Sequence, residues 1–158
     1  MDDIKIYRCK DVYELMQWRR ATISAVFGQA PDKELDTATM KYYVRHLRDG
    51  SHVPCIAYLN CRQVGCASLC IYDEMPSPDN LTGRCGYVMS VYVLPEFRDK
   101  GVGTAMLKWL LDMARKRGCG RVWLESTIDA HDLYASLGFS DALGVMNINL
   151  EKSNDDHE

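Results

Sequence analysis

The sequence has no run of the roughly 18 consecutive apolar residues that a membrane-spanning helix needs. Its start, Met1-Asp2-Asp3, is acidic where a secretory leader would be basic and then apolar. A soluble, cytoplasmic protein with no membrane partner is the expectation. Positive charge is not in excess either: 19 Lys and Arg stand against 22 Asp and Glu, a formal net charge of −3. No bulk field exists to hold a nucleic acid backbone. Cys-x-x-Cys is absent, and the seven cysteines, Cys9, Cys55, Cys61, Cys66, Cys70, Cys85 and Cys119, are an odd number spread along the chain. That spacing disfavours a disulfide framework and a zinc site, so no metal is expected. Cys66 and Cys70 lie four apart in an apolar, alternating run, which puts both on one face of a strand as buried thiols. There is no linker and no internal repeat.

What is present is one ordinary domain. With 158 residues, 47% hydrophobic and 26% charged, the chain should bury about 70% of its unfolded surface in one core. Ile4 to Tyr7 alternates as a short strand. Asp11 stands three before Glu14, a capping-box spacing that opens a helix. Its stripe is Val12, Leu15, Met16, Ile23 and Val26, and Arg19 falls on that same stripe. Arg19 either snorkels or pairs with a carboxylate, or else faces a cleft and meets an anion. Asp36 or Thr37 is expected to cap a second helix, which Gly50 ends. Val53 to Leu59 and Val64 to Tyr72 read as a hairpin turning at Asn60-Cys61-Arg62. A polar loop from Asp73 to Gly83 is long enough to reach over a site. Tyr87 to Leu94 reads as a strand buried on both faces. A third helix follows with the stripe Met106, Trp109, Leu110 and Met113, then a strand at Val122 to Leu124, a short helix near 130–137, and a last strand at Val145 to Leu150. The class is α+β, one domain over 1–150, with a mixed, mostly antiparallel sheet of about six to seven strands flanked by about four helices. A charged tail, 151–158, is expected to fray.

Chemistry concentrates between Val91 and Thr104. There, Arg98-Asp99-Lys100-Gly101-Val102-Gly103 turns directly from strand to helix. A helix N-terminus offers unpaired N–H groups and partial positive charge to a phosphate. Gly101 and Gly103 let the backbone approach, and Arg98 and Lys100 add cationic donors. A Rossmann fingerprint would need a third glycine where Met106 stands, and the Walker sequence is absent. Taken alone, the loop could also be a tight turn with solvated basic residues.

The segment Val91 to Thr104, followed some thirty residues on by Leu133-Tyr134-Ala135-Ser136-Leu137-Gly138-Phe139, resembles the GNAT family of acyl-CoA N-acyltransferases. Arg98-x-x-Gly101-x-Gly103 matches that family's pyrophosphate motif, and Leu-Tyr-x-x-x-Gly-Phe its fourth-helix motif. The resemblance is strong over about 85–140 and rests on element order alone before that. It implies a bulged strand whose backbone near Val91, Tyr92 and Val93 bonds the pantetheine arm of acetyl-CoA. That strand would splay from the next one. Backbone amides of Arg98, Asp99, Lys100, Gly101, Val102, Gly103 and Thr104 would take the pyrophosphate. Thr127 falls where many members have an asparagine that contacts the cosubstrate, and Tyr134 would protonate the leaving thiolate.

Some members carry a carboxylate base on the strand occupied here by Tyr87, Val88, Met89 and Ser90, and this sequence has none there. Glu125 or a water chain could replace it. His131 reads as an exposed capping residue rather than a base. The expected reaction is acetyl transfer from acetyl-CoA to the primary amine of a small molecule or peptide, by direct attack in a ternary complex. The alternative is a non-catalytic acyl-CoA-binding or regulatory domain. A Cys-His hydrolase has little support, because no cysteine sits in a recognisable nucleophile turn. Trp18, Arg19, Phe27 and Tyr72 are the candidate acceptor walls. If Arg19 faces the cleft, an acceptor with a carboxylate or phosphate is favoured over a polycation. Dimers are common in the family, so a homodimer is an open expectation.

Overall fold

A computed structural model describes residues 2–142 and 144–151. Five strands, β1 (Ile4–Arg8), β2 (His52–Leu59), β3 (Arg62–Asp73), β4 (Arg84–Val93) and β5 (Arg121–Leu124), lie in that spatial order in one sheet. Four helices flank it: α1 (Val12–Phe27), α2 (Lys33–Asp49), α3 (Val102–Lys116) and α4 (His131–Ser136). Neighbouring strands pair antiparallel except β4 and β5, which are parallel and are joined by the crossover through α3. None of the helices described is long and apolar enough to cross a membrane.

Period-two alternation distributes the core. Val53, Cys55, Ala57 and Leu59 of β2 and Ala67, Leu69 and Ile71 of β3 face α3, where they meet Val102, Met106, Leu107 and Leu110. Ile56 and Tyr58 of β2 and Cys66 of β3 face the other way, onto Leu15 and Met16 of α1 and Tyr43 of α2. The sheet is therefore covered on both sides, and the hairpin strands are buried through almost their whole length. Asn60 and Cys61 form its two-residue turn with φ of 48° and 70°, the pair of positive values that matches strand twist. All seven cysteines are free thiols.

Asp11 caps α1 by accepting from the backbone N–H of Tyr13 and Glu14. The reciprocal half of the capping box is not used: Glu14 turns its carboxylate to Gln63 Nε2 and the Cys9 thiol. For α2 the capping residue is Asp32, not Asp36 or Thr37. Its side chain takes the Leu35 N–H at 2.8 Å, so the helix begins a turn earlier and Asp36 is left to pair with Arg20 of α1 at 2.9 Å. The sheet also has five strands where about six to seven are expected. Residues 145–150 alternate in sequence but do not pair, and Val145, Met146, Ile148 and Leu150 are 74–93% exposed. Alternation fits a strand only where an edge receives it, and none does here. Of the expected tail, 152–158 lies outside the described residues.

The loop between β3 and β4 is pinned rather than free to cover a site. Asn80, buried within it, donates Nδ2 to the Arg84 carbonyl at 3.2 Å and accepts from Thr82 Oγ1 at 3.1 Å. Gly120 packs so closely that a Cβ there would lie 2.0 Å from Asn80 Oδ1. The loop is thus tied to the start of β5, at the far end of β4 from the Gly101 turn. Asn80→Ala should cost about 1–3 kcal/mol and lower Tm by several degrees. Gly120→Ala should destabilise the wild type more than it destabilises the Asn80→Ala protein, a non-additivity that thermal unfolding of the four proteins would detect.

Candidate functional site

β4 and β5 pair only through Cys85, Gly86, Tyr87 and Val88, opposite Arg121, Val122, Trp123 and Leu124. Beyond Val88 the pairing stops, and β4 runs on to Val93 with that edge open among the described residues. On its other edge β4 stays bonded to β3, but the register shifts: Met89 opposes Ser68 and Tyr92 opposes Cys66. Two residues, Ser90 and Val91, therefore face Ala67 alone. Ser90 has φ of 56°, a bulge conformation that re-aims the strand and frees backbone groups for a ligand. The strand from Met89 to Val93 is half-buried, not buried on both faces as its sequence suggests, because among the described residues no strand pairs along the open edge.

The loop that follows is held at its start. Leu94 donates its N–H to Val64 O at 2.9 Å, Pro95–Phe97 makes one 3-10 turn, and the Arg62 guanidinium lies 4.9 Å over the Phe97 ring. Asp99 and Gly101 both take positive φ, 60° and 85°. Gly101 is the N-cap of α3 and supplies no side chain to the first-turn N–H groups. Those donors point out at the end of a 15-residue helix and can receive an anion. Lys100 is exposed beside them. Arg98 instead folds back: its Nε donates to Val93 O at 3.0 Å and its guanidinium sits 5.7 Å from the Tyr92 ring centroid. Thr104 and Gly103 are half-buried in the first turns of α3, and Leu133 of α4 is 3.4 Å from where a Gly103 Cβ would be. That close approach sets α4 against the start of α3.

Tyr134 of α4 is 8% exposed and packs edge-to-face on Phe139, with ring centroids 6.0 Å apart. Its hydroxyl bonds no protein group among the described residues. Burial holds its pKa above the usual 10.0, and the phenol stays protonated. Glu125 is exposed just after β5, where the two strands part, and its charge reaches Tyr87. Thr127 caps a short 3-10 turn, Ile128–Ala130, with its carbonyl accepting from Ala130 N and Ser126 Oγ. His131 pairs through Nε2 with Asp141 at 2.9 Å, and that bond raises its pKa.

On the other side of the bulge, Arg19, Tyr42, Tyr43, His52, Cys70, Met89 and Ser90 line a cavity of about 370 Å³. Of the four candidate wall residues only Arg19 reaches it. Trp18 is turned to Gln63, bonding Oε1 at 2.9 Å. Phe27 is 69% exposed at the end of α1, and Tyr72 accepts from Trp123 Nε1 at 2.6 Å on the far part of β3. No residue of the 73–83 loop lines the cavity. The sequence reading missed His52, Tyr42 and Ser90. A lone histidine in an apolar strand, and a serine in a strand, carry no signal that α2 and a bulge will bring them together.

His52 Nδ1 bonds Tyr42 Oη at 2.9 Å and the Cys70 thiol at 3.4 Å. Its Nε2 is buried with no partner. Burial, helped by the charges of His46 and Arg19, pushes its pKa down to about 4, so the ring is neutral.

The Acetyltransferase (GNAT) family model matches residues 12–139. Among curated proteins, an Escherichia coli [Ribosomal protein bS18]-alanine N-acetyltransferase is 40% identical over 58 residues, 35% of this chain and 39% of that protein. A mouse (Mus musculus) thialysine N-epsilon-acetyltransferase is 36% identical over 64 residues, 38% of this chain and 37% of that protein. The matched segments thus span about two-fifths of these relatives. Among solved structures, a predicted acetyltransferase with acetyl-CoA from Clostridium acetobutylicum superposes with a TM-score of 0.83 at 26% identity, covering 98% of this chain and 99% of that one.

The buried neutral His52 predicts a pH effect. An unfolded histidine titrates near 6.5 and this one near 4, so between those values the unfolded state binds more protons. Stability should be constant above about pH 6.5 and fall as pH is lowered towards 4, by up to about 3 kcal/mol from this residue. The loss of Tm between neutral pH and about pH 4.5 should be smaller in His52→Gln than in the wild type, and an equal loss would place the titration elsewhere.

Proposed function

Because the chain belongs to the GNAT acetyltransferase family, we propose that it transfers an acetyl group from acetyl-CoA to a primary amine by direct attack in a ternary complex. The observation that carries this reading is the parting of β4 from β5 after Val88, with the bulge at Ser90 and the uncapped α3 N-terminus on the same strand-loop-helix path. An open strand edge suits the amide groups of a pantetheine arm, and Val91, Tyr92 and Val93 are the residues that supply it. The amides from Arg98 to Thr104, with Lys100 beside them, suit the pyrophosphate. Thr127 is a further candidate contact.

In the reaction, the amine nitrogen forms a bond to the thioester carbonyl carbon and the carbon–sulfur bond breaks. Tyr134 gives its phenolic proton to the departing thiolate, a role that its protonated state supports. The proton lost by the amine goes to Glu125 or to water. Holding both substrates side by side supplies proximity, and backbone donors at the bulge stabilise the developing oxyanion.

A second reading, a domain that binds acyl-CoA without turnover, draws on the absence of a carboxylate at Tyr87–Ser90. Calorimetric titration with acetyl-CoA and a free-thiol assay over a panel of amines separate the two. Binding and thiol release support the enzyme, binding without release supports the sensor, and no binding removes both.

Tyr134→Phe should lower kcat by about 10²-fold or more and leave the Kd for acetyl-CoA unchanged. No alkaline loss of rate from this group should be seen below its ordinary pKa of 10.0. Full activity in the phenylalanine variant would assign the proton to another donor. Gly101→Val, which forces a β-branched residue to φ of 85°, should weaken acetyl-CoA binding by about tenfold or more, with a strain cost of about 1–3 kcal/mol in stability. Unchanged affinity in that variant would remove the loop from the site.

A further inference from the structure

Arg19 stands on the inward stripe of α1, where helical spacing otherwise places Leu15, Met16 and Ile23 in the core. Its Nη1 donates to Ser90 Oγ at 2.8 Å, at the bulge itself. Among the described residues no carboxylate lies within 4.0 Å of it, whereas Arg20, its neighbour in sequence, is paired with Asp36. The groups that feel the charge of Arg19 are Tyr43, His52, Cys66 and Cys70, all neutral at physiological pH. Among the described residues, Arg19 is therefore the only charged side chain lining the cavity.

A guanidinium has five N–H donors in a rigid fork, and one serine hydroxyl leaves most of them for another acceptor. A cation drawn partly out of water with no counter-charge is costly unless a ligand brings one. The cavity, about 370 Å³, is at the small end of the roughly 300–1,000 Å³ range of small-ligand sites. It lies on the α1–α2 side of the bulge, while the open edge of β4 and the α3 N-terminus lie on the path already described.

We propose that the acceptor is a small amine carrying its own oxyanion, a carboxylate or a phosphate, which Arg19 holds in this cavity while the amine faces the bulge at Ser90. This assignment rests on the acetyl-transfer reading above. The same arrangement selects against polyamines, whose second ammonium would enter a pocket that has a cation and offers no carboxylate.

The test is acetylation by the full chain with saturating acetyl-CoA, using matched pairs: an α-amino acid and its amide, an amino sugar phosphate and the unphosphorylated amino sugar, and a polyamine. Thiol release and product mass are read for the wild type, Arg19→Ala and Arg19→Lys. In the wild type, kcat/KM should favour the anionic member of one pair by about 10–100-fold, the range expected of charge-assisted hydrogen bonds. The amino acid pair then identifies a carboxylate and the sugar pair a phosphate. Arg19→Ala should collapse that ratio towards one through KM, with acetyl-CoA affinity by titration at the wild-type value, and Arg19→Lys should keep part of the ratio. Equal use of both members of each pair, preference for the polyamine, or an equal loss for both members in Arg19→Ala overturns the proposal, and the wild-type ratio decides even if a variant fails to fold. Thiol release with no amine at all, while acetyl-CoA still binds, overturns the acetyl-transfer reading and this assignment with it.

Discussion

Tyr87 and Val88 of β4 pair with Trp123 and Leu124 of β5, and then the two parallel strands separate. The rest of the candidate site follows from that separation. A strand that keeps one neighbour and loses the other has a row of unpaired backbone groups, which in a folded protein must find water or a ligand. The Tyr87–Trp123 stack, with ring centroids 4.3 Å apart, lies one position before the last pair, Val88 and Leu124. The bulge at Ser90 is the same event seen from the β3 side, since the register shift that puts Ser90 and Val91 against Ala67 bends β4 away from the line of its partner. Because α3 is the crossover that a parallel pair requires, its N-terminus necessarily starts near the end of β4. The open edge and the uncapped helix are thus one construction, not two coincident features.

Both faces of the sheet are needed to hold that opening. On one face Val102, Met106, Leu107 and Leu110 of α3 are buried against β2 and β3, which anchors the helix whose first turn must stay free of side-chain caps. On the other face Leu15 and Met16 of α1 and Tyr43 of α2 cover Ile56 and Cys66. The second layer stops short of closure at Arg19, and there the cavity forms. An arginine in a stripe of Leu, Met and Ile is a departure from the pattern that stabilises the helix, and departures of that kind concentrate where function rather than packing sets the residue.

What could be read from sequence was local or periodic. Asp11, Gly50 and the stripes of α1 and α3 act through neighbours a few residues away, and Val91 to Gly103 is a contiguous strand, turn and helix whose chemistry is written in one segment. What could not be read depends on tertiary partners. Asp32 and Asp36 are equally good capping residues by type; Asp32 takes the Leu35 N–H, and Asp36, a turn further on, pairs with Arg20 of α1. Residues 145–150 alternate as a strand would, yet pairing depends on an edge that the local pattern cannot see. His52, Tyr42 and Cys70 are far apart in the chain and meet only because α2 lies across β2 and β3.

The net charge of −3 makes the local arrangement more selective. Were the whole surface basic, the α3 N-terminus and Lys100 would be a minor part of a general attraction for anions. On a mildly acidic protein they stand out as a short-range site, since fields from exposed charges are screened within about 8–10 Å at physiological ionic strength. The same reasoning separates Arg19 from Lys100. The exposed lysine sees the screened field of the surroundings, whereas the half-buried Arg19 at the bulge shares a cavity with Tyr43, His52 and Cys70, and its charge reaches all three. Two cations on a chain of negative charge thus differ in reach: in the proposed reading, one holds a flexible diphosphate at the surface, and the other discriminates between amines that differ by a single anionic group.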